Sequence, residues 1–219
     1  LFSLQDAEKR PKDPAATLYR SFHITAKCRY NASIRLKRLG AFSFLTATIL
    51  SLGLILIPLL QLADVSLAYP PPVLNMLQIF LAVAVLVYSV VNSTAHYETR
   101  SESLNECGDK IKELSRELRT AMKDSETPPD LHDMNQRYTD ISTDSENHTR
   151  ADYSLAMLQA RNFYSISGLP RLFLYLKVRA LSSFAYLLPV ALIVAEAIII
   201  TDTLGLTSIM TNCLMPSKH

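Results

Sequence analysis

The chain has 219 residues, 49% of them hydrophobic, and 22 Lys and Arg stand against 20 Asp and Glu for a formal net charge of +2. That balance offers no overall field for nucleic acid, and five dispersed glycines leave no phosphate-cradling loop. The apolar residues are concentrated in three runs, so the polar remainder is split into pieces too small to house an ordinary enzyme domain with its own core.

Residues 1–38 carry nine of the Lys and Arg against Asp6, Glu8 and Asp13, and read as a cytoplasmic basic segment. From residue 14 an amphipathic helix is predicted. Leu18, Phe22, Ile24, Ala26, Tyr30, Ile34 and Leu36 interleave with Arg20, Lys27, Arg29, Arg35, Lys37 and Arg38, which are placed to meet anionic headgroups. No secretory signal is expected, since the first apolar run starts near residue 39 and is too long for one.

Between Arg38 and Asp64 there is no charged residue. A bilayer core needs about 20 apolar residues per helix, so 39–62 reads as a first span. It contains Ser43, Thr46, Thr48, Ser51, Gly53 and Pro58. Small and hydroxyl residues let helices approach closely in lipid, which makes Thr46 and Ser51 candidates for interhelical or path-lining roles. The turn Tyr69-Pro70-Pro71-Pro72 cannot continue a helix. It closes a transmembrane hairpin over 39–92 with a second span at 73–92, where Asn75 and Gln78 enter from the outer side.

A cytoplasmic helical region is predicted over 93–180. No Pro falls between Pro72 and Pro128, so one unbroken helix from about Leu74 to about Lys123 is expected. Leu104, Cys107, Ile111, Leu114, Leu118 and Ala121 recur at intervals of 3, 4, 3, 4 and 3, and the register extends back to Tyr97. This seam is a candidate for subunit assembly and signal transmission; alternatively, residues 131–163 of the same chain satisfy it. Residues 123–130 break the helix. Leu131, Met134, Tyr138 and Ile141 then repeat the spacing, a further helix is predicted over 149–165, and Gly168 and Pro170 end it. Residues 171–180 look interfacial and feed a third span at 181–201, followed by an outside tail at 202–219.

Lys and Arg sort by side. The stretch 93–180 carries twelve, the loop 63–72 none, and the chain after Ile200 only Lys218. The asymmetry predicts a multi-pass inner-membrane protein with its N-terminus in the cytoplasm and its C-terminus outside.

Chemistry-bearing patterns are sparse. Cys28, Cys107 and Cys213 form neither a disulfide framework nor a metal spacing. His96 falls where the second span meets water, and His148 follows Glu146 and Asn147 at a helix break. Each is a candidate switch or ligand, or else fixes local packing. Glu196 lies inside the third span, where a carboxyl is costly unless protonated, paired or wet. Three readings stay open: a hydrogen bond to Gln78, a place on a polar path, or reach to the outer interface. Pro189 in the same span is a candidate gating joint or a silent kink. No cofactor, metal or enzymatic site is expected.

Three stretches carry a further signal: Leu18-Tyr-Arg-Ser-Phe-His-Ile-Thr-Ala-Lys-Cys-Arg-Tyr30, Tyr97-Glu-Thr-Arg-Ser-Glu-Ser-Leu104, and Tyr138-Thr-Asp-Ile-Ser-Thr-Asp-Ser-Glu-Asn-His148 with Asp152-Tyr153 just after. Together they resemble the SLATT family, the SMODS and SLOG-associating two-transmembrane effectors of bacterial conflict systems. His96, Glu146, Asn147 and His148 are the candidate motif positions, and the third span makes this a longer form. The resemblance implies an all-α membrane effector that oligomerises and permeabilises the inner membrane when a separate sensor is triggered. That sensor would be a nucleotide cyclase, a SLOG-type protein or a reverse transcriptase; no motif supports direct nucleotide binding. The alternative is a non-conducting membrane anchor that scaffolds a soluble partner through its cytoplasmic helices.

Overall fold

A computed structural model describes residues 13–124, 128–164 and 166–209. Expectations placed on residues 1–12, Cys213 and Lys218 lie outside the described residues. The fold is all-α: α1 (Pro14–Leu62), α2 (Pro71–Thr94), α3 (Tyr97–Ala121), α4 (Leu131–Thr143), α5 (Arg150–Gln159), α6 (Leu169–Ser183), a 3-10 turn (Phe184–Tyr186) and α7 (Leu187–Thr203). Two compact units share them. Among the described residues, one gathers 13–38 with Tyr97–Phe184; the other gathers Leu39–His96 with 185–209.

In the first unit α1 is the central rod. Asp13 caps it, its carboxylate accepting from the Ala15 and Ala16 N–H groups at 3.2 Å, and Pro14 takes the first helical position, where no N–H is needed. Phe22 and Ala26 pack on Cys107, Ile111, Leu114 and Leu118 of α3 and on Met134 of α4. Ile24 and Cys28 meet Ala156 and Ala160, while Ala32 and Leu36 meet Leu104. The helix is thus enclosed on three sides, and Phe22 is 0% exposed. Caps set the shorter helices: Asp130 accepts from the His132 and Asp133 N–H groups, and Thr149 and Asp152 form a reciprocal capping box. Gly168 opens α6 at φ 70° and ψ −150°, a region essentially reserved for glycine.

The second unit holds the C-terminal part of α1 with α2 and α7 around Ile57, Tyr69, Leu74, Leu77, Leu81 and Ile199. α1 stops where Asp64 turns left-handed at φ 54°, and the Val65 N–H reaches back to the Leu60 carbonyl at 3.4 Å. Large apolar side chains cover the outside, among them Phe44, Ile79, Phe80 and Leu188. Such a surface is unfavourable in water and at home in lipid. Among the described residues, three stretches are long and apolar enough to cross a membrane: Pro14–Leu62, Pro71–Ala121 and Leu169–Thr203.

Three expectations are corrected. The helix predicted from about Leu74 to Lys123 is two helices, because His96 sits at φ 47°, a left-handed conformation that ends α2 before α3 begins. The third span is likewise interrupted. The 3-10 turn at Phe184–Tyr186 falls where the Pro189 ring, in the first turn of α7, meets the backbone four residues earlier. Finally, two of the arginines assigned to headgroups point inward: Arg29 is 2% exposed, and Arg35 pairs with Asp152.

Candidate functional site

The membrane unit carries a buried small-residue face. Ser43, Thr46, Leu50, Gly53 and Ile57 of α1 are all buried, at alternating spacings of three and four. Hydroxyls on this helix bond to their own backbone: Thr46 Oγ1 to the Phe42 carbonyl at 2.9 Å, and Ser51 Oγ to the Ala47 carbonyl at 2.8 Å. Thr46 is fully covered and Ser51 partly so. These two hydroxyls therefore have their donors satisfied within the helix itself, which suits a lipid environment.

Glu196 of α7 is 2% exposed and lies directly on Gly53. A Cβ at Gly53 would stand 2.5 Å from Glu196 Cδ and closer still to Oε1. Glycine is what lets α1 approach this carboxyl. Oε1 has no hydrogen-bond partner among the described residues. The structure records no bond from Glu196 to Gln78, which is half-buried. Asn75, exposed, accepts instead from Gln61 Nε2 of α1 at 3.5 Å, the limit of hydrogen-bond reach. The Glu196 side chain is covered inside the unit. Pro189 is buried at the start of α7.

Sequence reasoning missed Gly53 as the seat of Glu196, and missed the fastening at the C-terminal end of α7. Asp202, fully buried, accepts from Tyr69 Oη at 3.1 Å, from the Ile209 N–H at 3.0 Å and from Thr207 Oγ1. The Ala68 N–H donates to the Thr203 carbonyl at 3.0 Å, so the hairpin loop is stitched to the end of α7. A lone carboxyl just past an apolar run is the one signal that pointed here.

In the first unit the seam closes within the chain. Leu104, Cys107, Ile111, Leu114 and Leu118 are 0–4% exposed against α1 and α4, and Tyr97 is half-buried beside Leu104. Alongside the seam runs a polar interior. Arg29 donates to the Ser142 carbonyl at 3.2 Å and to the Glu146 carbonyl, holding the end of α4, where carbonyls lack partners. Glu146 also pairs with Arg100 at 2.8 Å. Asn31 donates to the Asp152 carbonyl at 3.3 Å and accepts from Gln159 Nε2 at 3.2 Å.

The motif positions thus separate. Glu146 and His148 border this interior, Asn147 is exposed, and His96 is an exposed helix break. His148 stacks on Tyr153 with ring centroids 6.3 Å apart, and its Nδ1 is buried without a partner among the described residues. Burial first, and then the Arg29 charge, lower its pKa from 6.5, while Asp152 pulls the other way. Among the described residues no group of three or more His, Cys, Asp or Glu side chains comes together to hold a metal.

A family model described as "SMODS and SLOG-associating 2TM effector domain family 5" matches residues 11–200. No curated protein and no solved structure matches the chain.

Proposed function

The chain belongs to the SMODS and SLOG-associating 2TM effector domain family 5, and from that premise we propose that it is a membrane effector of a bacterial conflict system that opens a conducting path through the inner membrane. The observation that carries the reading is the covered carboxyl of Glu196 on the small-residue face of α1, inside a unit whose exterior is apolar. A span that only anchors has no use for a buried acid. Lipid-facing chemistry is satisfied by Leu, Ile, Val and Phe alone, and an intramembrane ionisable group marks a pathway by default.

The first unit lies in the cytoplasm with the basic ends of the spans, and it receives the trigger from a separate sensor protein: a nucleotide cyclase, a SLOG-type protein or a reverse transcriptase. Conduction requires several copies. Because the α3 seam is filled by α1 and α4, the copies meet through the exposed apolar faces of the spans. Nothing in the family description points to enzymatic turnover.

Purified protein in liposomes tests the reading: efflux of potassium or a small dye supports it. Absence of efflux in every condition, with retained binding of a soluble partner, supports the anchor reading in its place. Topology is checked with an impermeant thiol label on whole cells, using Ser66→Cys and Lys110→Cys in a background lacking the native cysteines. Labelling of position 66 alone is expected, and equal labelling of both refutes the orientation.

A further inference from the structure

We infer that Glu196 and Gly53 form the stop that keeps the membrane unit shut, and that this contact is held under tension. The inference deepens the conducting-path reading and rests on it.

Three observations converge. The Glu196 side chain is 2% exposed, although it sits on a helix whose Leu187, Leu188, Val190 and Val194 neighbours are exposed. Its carboxyl rests on the one position of the buried α1 face that lacks a side chain, and any Cβ there would overlap it. Its Oε1 has no partner among the described residues, unlike Asp202 near the outer end of the same helix, which is held by Tyr69, Thr207 and the Ile209 N–H.

A carboxyl held by hydrogen bonds is at rest. A carboxyl held only by packing gains when it meets water. Separating α7 from α1 at Gly53 hydrates Glu196 and exposes Ser43 and Thr46 on the same face of α1. One movement therefore relieves the buried acid and lines the opening with polar groups. Asp202, Tyr69 and the Ala68–Thr203 bond keep the outer end fastened meanwhile. Gly53 sets the threshold: it is the only residue that lets the acid be covered.

The test uses the full chain in proteoliposomes, with potassium efflux and the melting temperature in detergent as paired readouts. Gly53→Ala is expected to raise spontaneous efflux about tenfold or more over the parent chain and to lower the melting temperature. The double variant Gly53→Ala with Glu196→Ala restores room at the contact and should return both readouts toward the parent. Glu196→Met is the companion variant should Gly53→Ala not fold. An apolar side chain of similar length is expected to raise the melting temperature and to lower spontaneous efflux.

A folded Gly53→Ala that is as quiet as the parent overturns the stop, as does a double variant that leaks like the single. Glu196→Met that melts no higher and leaks no less overturns it too. Efflux from the parent that neither substitution alters refutes the stop alone. Coupled melting temperatures with no efflux from any variant refute the stop and the conducting reading together.

Discussion

Arg35 grips Asp152 at two points, Nε to Oδ1 at 3.1 Å and Nη2 to Oδ2 at 3.0 Å, while the same carboxylate accepts from the Thr149 N–H and hydroxyl to cap α5. One buried acid thus joins the central helix to the start of a helix more than a hundred residues away. Removing one partner of a buried pair costs about 3–5 kcal/mol, and loss of a cap adds about 1 kcal/mol. Arg35→Ala strands the buried carboxylate and should cost about 3–5 kcal/mol, whereas Asp152→Ala leaves a partly exposed guanidinium but also removes the cap. Urea titration of the detergent-solubilised chain measures both; a loss below about 1 kcal/mol for Arg35→Ala would mean that the pair does not hold α1 to α5.

Arg29 fastens the segment after α4 through two backbone carbonyls, Ser142 and Glu146. Substituting Met keeps much of the buried volume but removes the donors. Arg29→Met should speed cleavage after Glu146 by a glutamate-specific protease about tenfold, which corresponds to about 1.4 kcal/mol in local opening. Arg100→Ala, which removes an exposed pair, should change the rate by less than threefold. A similar rate for Arg29→Met and the parent would show that the carbonyl contacts do not hold the segment.

His96 stands in a left-handed conformation between α2 and α3 at φ 47°. For a residue with a side chain that conformation costs about 1 kcal/mol, which glycine avoids. His96→Gly should leave stability unchanged or raise it by up to about 1 kcal/mol, and His96→Val should lower it by more than that. Thermal melts of the two variants check the order. A more stable His96→Val would mean that α2 and α3 run through as one helix.

His148 carries a pH dependence whose sign follows from its surroundings. Burial and Arg29 depress its pKa below 6.5, so the folded state holds the neutral ring while the unfolded chain takes up a proton first. The contribution is fully present above about pH 7.5, declines as pH falls through 6.5, and levels off below the folded value. Arg29, Asp152 and the stacked Tyr153 are the groups around it. His148→Gln should flatten the melting temperature between about pH 7 and 5 relative to the parent, and an unchanged slope assigns that dependence to other groups.

Local rules made much of this architecture legible. Hydropathy marks three stretches able to cross a membrane, because the absence of charge over twenty residues is a property of the stretch alone. Prolines at 70–72 force the hairpin turn, and the three–four spacing of Leu104, Cys107, Ile111, Leu114 and Leu118 is the buried face of α3. Spacing says that a face is covered, not what covers it. Only the tertiary structure decided that α1 fills the seam, that Arg29 and Arg35 turn inward to carbonyls and a carboxylate supplied by residues 142–152, and that Gly53 receives Glu196. It also decided the break between α2 and α3, since a left-handed His96 breaks no propensity rule strongly enough to be read in advance. Each of these joins residues far apart in the chain or a single backbone angle, and the pattern of side chains along a sequence carries neither.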